Sequence, residues 1–221
     1  MVNSIGNKAR ALAGSALLGL LVMGGASASD DMQEMQSLQQ QWWQWAMSIP
    51  ASHNPVYDKT GNRCGMAQRG EYWFLAGSTG GPVSRNCTIP QGVKLLVPIV
   101  NTVCFPDATI DAASCISESD NFIASYEDDD LTLKADSGNV PYFDVRDDSL
   151  WLLFVDANGL FGYKPGVYKA NIARGYWGVI DTAGWATGTV HTVELAARGS
   201  FSLKVTYRIM VEPHANSDYL P

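Results

Sequence analysis

The chain is poor in the residues that build metal and catalytic centres. It has three histidines, His53, His191 and His214, and no Cys-x-x-Cys step among its four cysteines, which removes the common zinc spacings. His53 and Asp58 have no third ligand at a suitable spacing, and His191 shares strand parity with Val193 and Leu195, as a core histidine would. The glycine-rich Gly77-Ser-Thr-Gly-Gly-Pro segment lacks the Lys-Ser or Lys-Thr of a phosphate loop, so it reads as a bend between strands, stapled through Cys87. A Gly-x-Ser-x-Gly element is also missing, which disfavours a serine hydrolase of that type. Basic residues are outnumbered, 15 to 22, and an acidic surface repels nucleic acid and anionic membranes.

Only one long apolar run exists, Ala11 to Met23, preceded by Lys8 and Arg10 and followed by Ala26-Ser27-Ala28. It is shorter than the ~20 residues of a bilayer span and has the order of a secretory signal cleaved before Ser29. Removing residues 1–28 with Lys8 and Arg10 takes the formal charge from −7 to −9. Cys64, Cys87, Cys104 and Cys115 then all lie in the mature part, and in an oxidising compartment they imply two bridges with three possible pairings. Shortest loops favour Cys64 with Cys87 and Cys104 with Cys115. The expected localisation is periplasmic or extracellular, without membrane insertion once the signal is removed.

Residues 29–50 are expected to form one N-terminal helix packed on the domain, capped by Asp30. Its apolar stripe is Met35, Leu38, Trp42, Trp45 and Ile49, and Pro50 ends it. Trp43 lies off that stripe, so the helix has either a wide buried face or an exposed ring. Residues 51–221 read as a single β domain. After a loop to Arg69, strands are expected at Tyr72–Ala76, at the almost continuously apolar Val93–Val100 with a bulge at Pro98, and at Leu131–Lys134. Val140–Val145 is expected to be a strand joined to Leu131–Lys134 by a turn at Ser137-Gly-Asn, and further strands are expected at Ser149–Val155 and Tyr176–Ile180. Asp156-Ala-Asn-Gly supplies a turn, Asp107–Asp130 is rich in small and acidic residues and reads as irregular, and its Cys104–Cys115 part is expected to be a small stapled loop. The clearest signal is at the C-terminal end, where Phe201, Leu203, Val205, Tyr207, Ile209 and Val211 alternate with polar residues, Met210 being the lapse. Val190–Leu195 can pair with that strand as a hairpin. Many short strands and one helix point to a mainly β fold, an antiparallel β-sandwich of jelly-roll or immunoglobulin-like type.

A longer set of residues supports a resemblance. It comprises Asn54-Pro, Asp58, Thr60-Gly, Cys64, Gln68-Arg-Gly, Trp73-Phe-Leu-Ala-Gly, Gly80-Gly, Arg85, Cys87-Thr-Ile-Pro, Pro98 and Asn101. Downstream come Asn158-Gly-Leu-Phe-Gly, Pro165-Gly-Val-Tyr, Gly175-Tyr-Trp, His191-Thr-Val and Val205-Thr-Tyr. Over most of the mature chain this resembles a family of exported bacterial proteins without an assigned activity. The resemblance implies export and a domain boundary, and it carries no catalytic residues. Val93-Lys-Leu-Leu-Val97 departs from it in having fewer aromatics.

The leading functional expectation is a non-catalytic binding module for a glycan or another cell-envelope component. Its ligand would meet Trp185 in a loop-like segment, with Tyr176, Trp177 and Asp181 just before it, since an aromatic ring stacks on a sugar face and a carboxylate takes hydroxyl hydrogen bonds. One alternative is a glycoside hydrolase with an acid pair drawn from Asp144, Asp147 and Asp148. Another is a structural or assembly role in the envelope. No cofactor is expected apart from calcium at Glu127, Asp128, Asp129 and Asp130, hard oxygen donors in one run.

Overall fold

The computed structural model describes residues 28–149, 151–155, 159–169 and 172–213. The signal segment up to residue 27, the Asp156-Ala-Asn turn and the His214 tail lie outside them. Helix α1 is Ala28–Ser48, so Asp30 falls in its first turn, and α2 is Ala112–Ile123. The strands are β1 Tyr72–Phe74, β2 Gly81–Pro90, β3 Lys94–Cys104, β4 Leu131–Ala135, β5 Gly138–Asn139 and β6 Phe143–Asp147. They continue as β7 Leu153–Val155, β8 Gly166–Tyr168, β9 Ile172–Asp181, β10 Val190–Ala197 and β11 Leu203–Glu212. One sheet runs β1-β3-β9-β6, a second β2-β11-β10-β4-β5, and β7 pairs with β8 alone.

Period-two patterning places the strands as expected at the C-terminal end. Leu203, Val205, Tyr207, Ile209 and Val211 are buried while Lys204, Arg208 and Met210 face out, and β11 pairs antiparallel with β10 from Leu203↔Ala197 to Met210↔Val190. The two larger sheets share one core, to which β3 gives Leu95, Val97 and Ile99 and β11 gives Val205 and Ile209. The opposite face of β3 and β9, through Leu96, Ala173 and Trp177, packs with α1 in a second cluster containing Trp42, Trp43 and Trp45. Cover on both faces explains the unbroken apolar run of β3. Its register against β9 shifts between Pro98 and Val100, where the proline interrupts the ladder.

Four expectations need correction. The sheets are mixed, because β1–β3 and β2–β11 are parallel pairs: the chain crosses between sheets after β1 and again after β2, returning each time in the same direction. The bend after Gly77 is short, since β2 starts at Gly81. Leu131–Lys134 does not pair with Val140–Val145; β4 pairs with β5, and past Pro141 the chain moves to the other sheet, where β6 pairs with β9. Finally, Asp107–Asp130 holds a second helix. The Asp111 carboxylate accepts the Ser114 amide at its start, and Cys115, Ser119 and Ile123 form its buried face.

Both disulfides are present, Cys64–Cys87 and Cys104–Cys115. The first ties the loop after α1 to β2, and the second ties α2 to the end of β3. The loop is further held by the Asp58 carboxylate, which accepts the Thr60 amide, the Thr60 hydroxyl and the Arg63 amide, each at 2.8 Å.

Arg85 on β2 is 2% exposed and has no carboxylate within ion-pair distance among the described residues. Its guanidinium instead donates to the carbonyls of Asp58 (2.6 Å), Ala76 (2.7 Å), Gly77 (2.9 Å) and Val56 (3.2 Å) and to the Tyr207 hydroxyl (2.6 Å). That hydroxyl donates to the Ala76 carbonyl and accepts its amide. Burial pushes the Tyr207 phenol up, with Arg85 offsetting part of the effect. Five buried acceptors from three chain segments therefore depend on one cation, and leaving buried acceptors unpaired is costly.

Arg85→Leu should lower unfolding free energy by about 3 kcal/mol or more in urea titrations, and Arg85→Lys should recover little, because an ammonium lacks the planar fork. Acid titration gives a second check. Burial raises the Asp58 carboxyl, but the hydrogen bonds from Thr60, Arg63 and Gly61 outweigh it and leave the folded value below 3.8. Its contribution is therefore full above that pH and lost as pH falls through the lower folded value, so Asp58→Asn should flatten the acid limb of stability against pH.

Candidate binding cleft

On one side β3 pairs with β9 along its length, but on the other β1 covers it only from Lys94 to Leu96, with the Leu75 amide donating to the Leu96 carbonyl as the last step. From there the Arg85 hydrogen bonds draw Ala76 and Gly77 away from β3. The chain continues as Gly77-Ser-Thr, and the edge of β3 from Pro98 to Val103 is left bordering a cleft of about 500 Å³.

The other walls come from distant segments. Helix α1 supplies Trp42 and Trp43, α2 supplies Phe122, the β10–β11 connection supplies Phe201, and the turn after β7 supplies Phe161 and Tyr163. Among the described residues no charged side chain lines the cleft, and burial, with Tyr168 beside it, pushes the Tyr163 phenol up. At the lip, Phe161 is 53% exposed and sits at φ +59°, a left-handed conformation costly for a bulky aromatic. The Tyr57 hydroxyl accepts its amide at 2.9 Å, and the two rings meet edge to face at 6.3 Å.

Two donors in the lining are unpaired. The Trp43 indole nitrogen and the Asn101 side-chain nitrogen are buried and have no hydrogen-bond partner. Asn101 lies opposite Gly175 on β9. A Cβ at Gly175 would fall 2.6 Å from the Trp177 indole nitrogen and 2.7 Å from the Asn101 Cβ, so glycine lets Trp177 and Asn101 approach each other there. The size and apolar aromatic lining are those of a small-molecule site, and the arrangement can hold an apolar body.

The residues singled out from the sequence are not brought together. Alternation along β9 puts Tyr176 and Trp177 on opposite faces. Trp177 is fully buried beneath α1, its indole donating to the Gln39 side-chain carbonyl at 2.9 Å, so it presents no ring to solvent. Tyr176 is half-buried against Tyr142. The Asp181 carboxylate closes a turn on the Ala183 amide. Trp185 is half-buried, and one face of its indole lies flat on His191, with centroids 4.0 Å apart. His191 in turn meets Asp136 and Thr189 at 2.8 Å each, and its hydrogen bond to Asp136 holds that carboxyl below its usual value.

The carboxylates considered for hydrolysis are engaged by arginines. Asp148 pairs with buried Arg174 at 2.6 Å, Asp144 with Arg146 at 3.0 Å, and Asp120 of α2 pairs with both arginines. Asp147 accepts the Gln40 side-chain amide. In the acidic run, Asp128 accepts the Tyr142 hydroxyl and Asp130 the Glu127 amide. His53 meets Ser52. Among the described residues no group of three or more His, Cys, Asp or Glu converges as a metal site, so neither Glu127–Asp130 nor His53 with Asp58 forms such a set.

Sequence reasoning missed the cleft; Trp43 stood out only as a ring off the helix stripe. Phe161 belonged to no expected strand, and Phe201 was read as the start of the C-terminal strand, which begins two residues later at Leu203. No family model matches the chain, and no curated protein matches it.

Gly175→Ala should destabilise the protein by about 1–3 kcal/mol through overpacking, measured as a fall in urea midpoint, whereas Gly184→Ala, with open space around its Cβ, should not.

Proposed function

We propose that the protein is an exported, non-catalytic binding module in which a β-sandwich scaffold holds an apolar component of the cell envelope in the cleft beside β3. The parallel edge pairs set this scaffold apart from an all-antiparallel immunoglobulin or jelly-roll sandwich. The observation that carries the reading is the aromatic cleft itself, walled by seven separate parts of the chain and with no charged side chain among its described lining residues. Export is supported by the order of Lys8, Arg10, the apolar run and Ala26-Ser27-Ala28, and by two disulfides of the kind that persist in oxidising compartments. The resemblance to exported bacterial proteins agrees with it.

A glycan site at Trp185 is less favoured, because His191 covers one face of the ring and Trp177 lies in the core. The cleft offers more contact area and a ready-made cavity. It also leaves the ion-paired carboxylates around Arg174 their structural work of fastening α2 and β6 to β9.

A fluorescent apolar probe such as N-phenylnaphthylamine should bind the full-length mature chain at one site. Phe161→Asn, which suits the left-handed backbone and removes the lip ring, should keep the melting temperature and weaken the probe by about fivefold, or roughly 1 kcal/mol of lost apolar contact. A probe that fails to bind the wild-type protein, or that binds the variant equally, contradicts the reading.

A further inference from the structure

Side chains on one face of a strand recur every second residue, about 7 Å apart. On β11 the buried positions Tyr207 and Ile209 alternate with exposed Arg208 and Met210. Register sets Arg208 beside Asn86 of β2, and Met210 between Thr88 of β2 and Val190 of β10. The outer face of the second sheet thus carries a guanidinium next to a small apolar pair.

The loop after α1 makes this corner concave. The Asn86 amide donates to the Thr60 carbonyl at 2.9 Å, and Cys64–Cys87 bridges the same loop and strand. Gly61 sits at φ +91°, and a Cβ there would collide with the Asn86 backbone, so glycine lets the loop lie against β2. Between loop and sheet lies a depression of about 580 Å³, with Asn62 on its loop side, which shares no lining residue with the aromatic cleft.

Its polar side chains are free to take a ligand. Arg85, Arg146 and Arg174 are all engaged within the protein, whereas the exposed Arg208 guanidinium has no ion pair or hydrogen bond among the described residues. The side chains of Asn62, Asn86 and Thr88 have no hydrogen bond there either. No acidic residue is among the described residues of the lining, although acidic residues outnumber basic ones 22 to 15 in the chain. A free planar fork takes an oxyanion, and one cation balances a carboxylate better than a phosphate dianion. Carboxamides and a hydroxyl both donate and accept, as sugar hydroxyls do. Met210 and Val190, 38% and 46% exposed, offer apolar ground for the C–H face of a ring.

We infer that this depression binds a carboxylate-bearing sugar, a uronic acid unit of an acidic glycan. Its carboxylate lies on Arg208, its hydroxyls meet Asn62, Asn86 and Thr88, and its ring rests on Met210 and Val190. The site is separate from the aromatic cleft and does not depend on the reading of that cleft.

Titration of the full-length mature chain, labelled with carbon-13 at the methionine methyls, tests it with methyl glucuronide, methyl glucoside, acetate and glucose 6-phosphate. Met210→Leu assigns the Met210 signal. Methyl glucuronide should shift that signal and bind about tenfold more tightly than each of the other three. Arg208→Gln alters an exposed side chain and should keep the melting temperature while erasing the advantage of glucuronide over glucoside. Asn86→Ala should weaken both sugars about threefold. The inference is overturned if glucuronide does not bind, or binds no more tightly than the glucoside. Acetate matching glucuronide, the phosphate sugar exceeding it, or an advantage that survives in Arg208→Gln also overturns it. The wild-type ranking decides the matter even where a variant fails to fold.

Discussion

Much of the structure depends on one buried cation, Arg85, held by neutral oxygens with no carboxylate in ion-pair range among the described residues. Arg85 donates hydrogen bonds to the loop after α1, to the segment leaving β1 and to β11, and so joins three parts of the chain. Because the acceptors are carbonyls at fixed places in the backbone, satisfying the guanidinium fixes the path of the chain and not only the position of a side chain. The Cys64–Cys87 disulfide, two residues along β2, fastens the same loop to the same strand. Together they turn Gly77-Ser-Thr-Gly away from β3 and leave the edge of that strand uncovered. The glycine-rich stretch is thus a bend, and the same bend makes one wall of the cleft.

The second constraint is the cover that α1 gives to the four-stranded sheet. Trp42 meets Trp43, Trp45 and Trp177 with ring centroids 5.1 to 5.8 Å apart, and its indole nitrogen donates to the Leu75 carbonyl. Trp45 donates to the Met66 carbonyl. Large rings with one polar atom each, most of them satisfied, make a well-specified layer. Trp43 is the exception in that row, and with Trp42 it lines the cleft. Helix α2, tied to β3 by Cys104–Cys115 and to β9 through Asp120 and Arg174, supplies the opposite wall.

Legibility in the sequence followed the regularity of the pattern. The alternation of Leu203 to Val211 and the three- and four-residue spacing of Met35, Leu38, Trp42 and Trp45 identified β11 and α1 because nothing interrupts them. Of the three possible disulfide pairings, the one preferred for its short loops is the one found. Strand β2 was hidden because Arg85 occupies an inward position that an apolar residue would normally take, which breaks the alternation with Cys87 and Ile89. Helix α2 was hidden because Ser119 stands in its buried face. The parallel pairs had no local signal at all, since they follow from crossings between sheets. Trp185, Tyr176 and Trp177 looked like one site because they are near in sequence, yet strand parity separates them. The cleft joins residues more than a hundred positions apart, which no local pattern encodes.

Hydrogen exchange on the wild-type protein and Arg85→Lys, resolved at residues 75–80 and 98–103, tests the dependence of the cleft on the buried guanidinium most directly. The account predicts that both segments lose protection together in the variant while β4 and β10 keep theirs. Unchanged protection at 75–80 would contradict it, because the bend would then hold its path without the arginine fork.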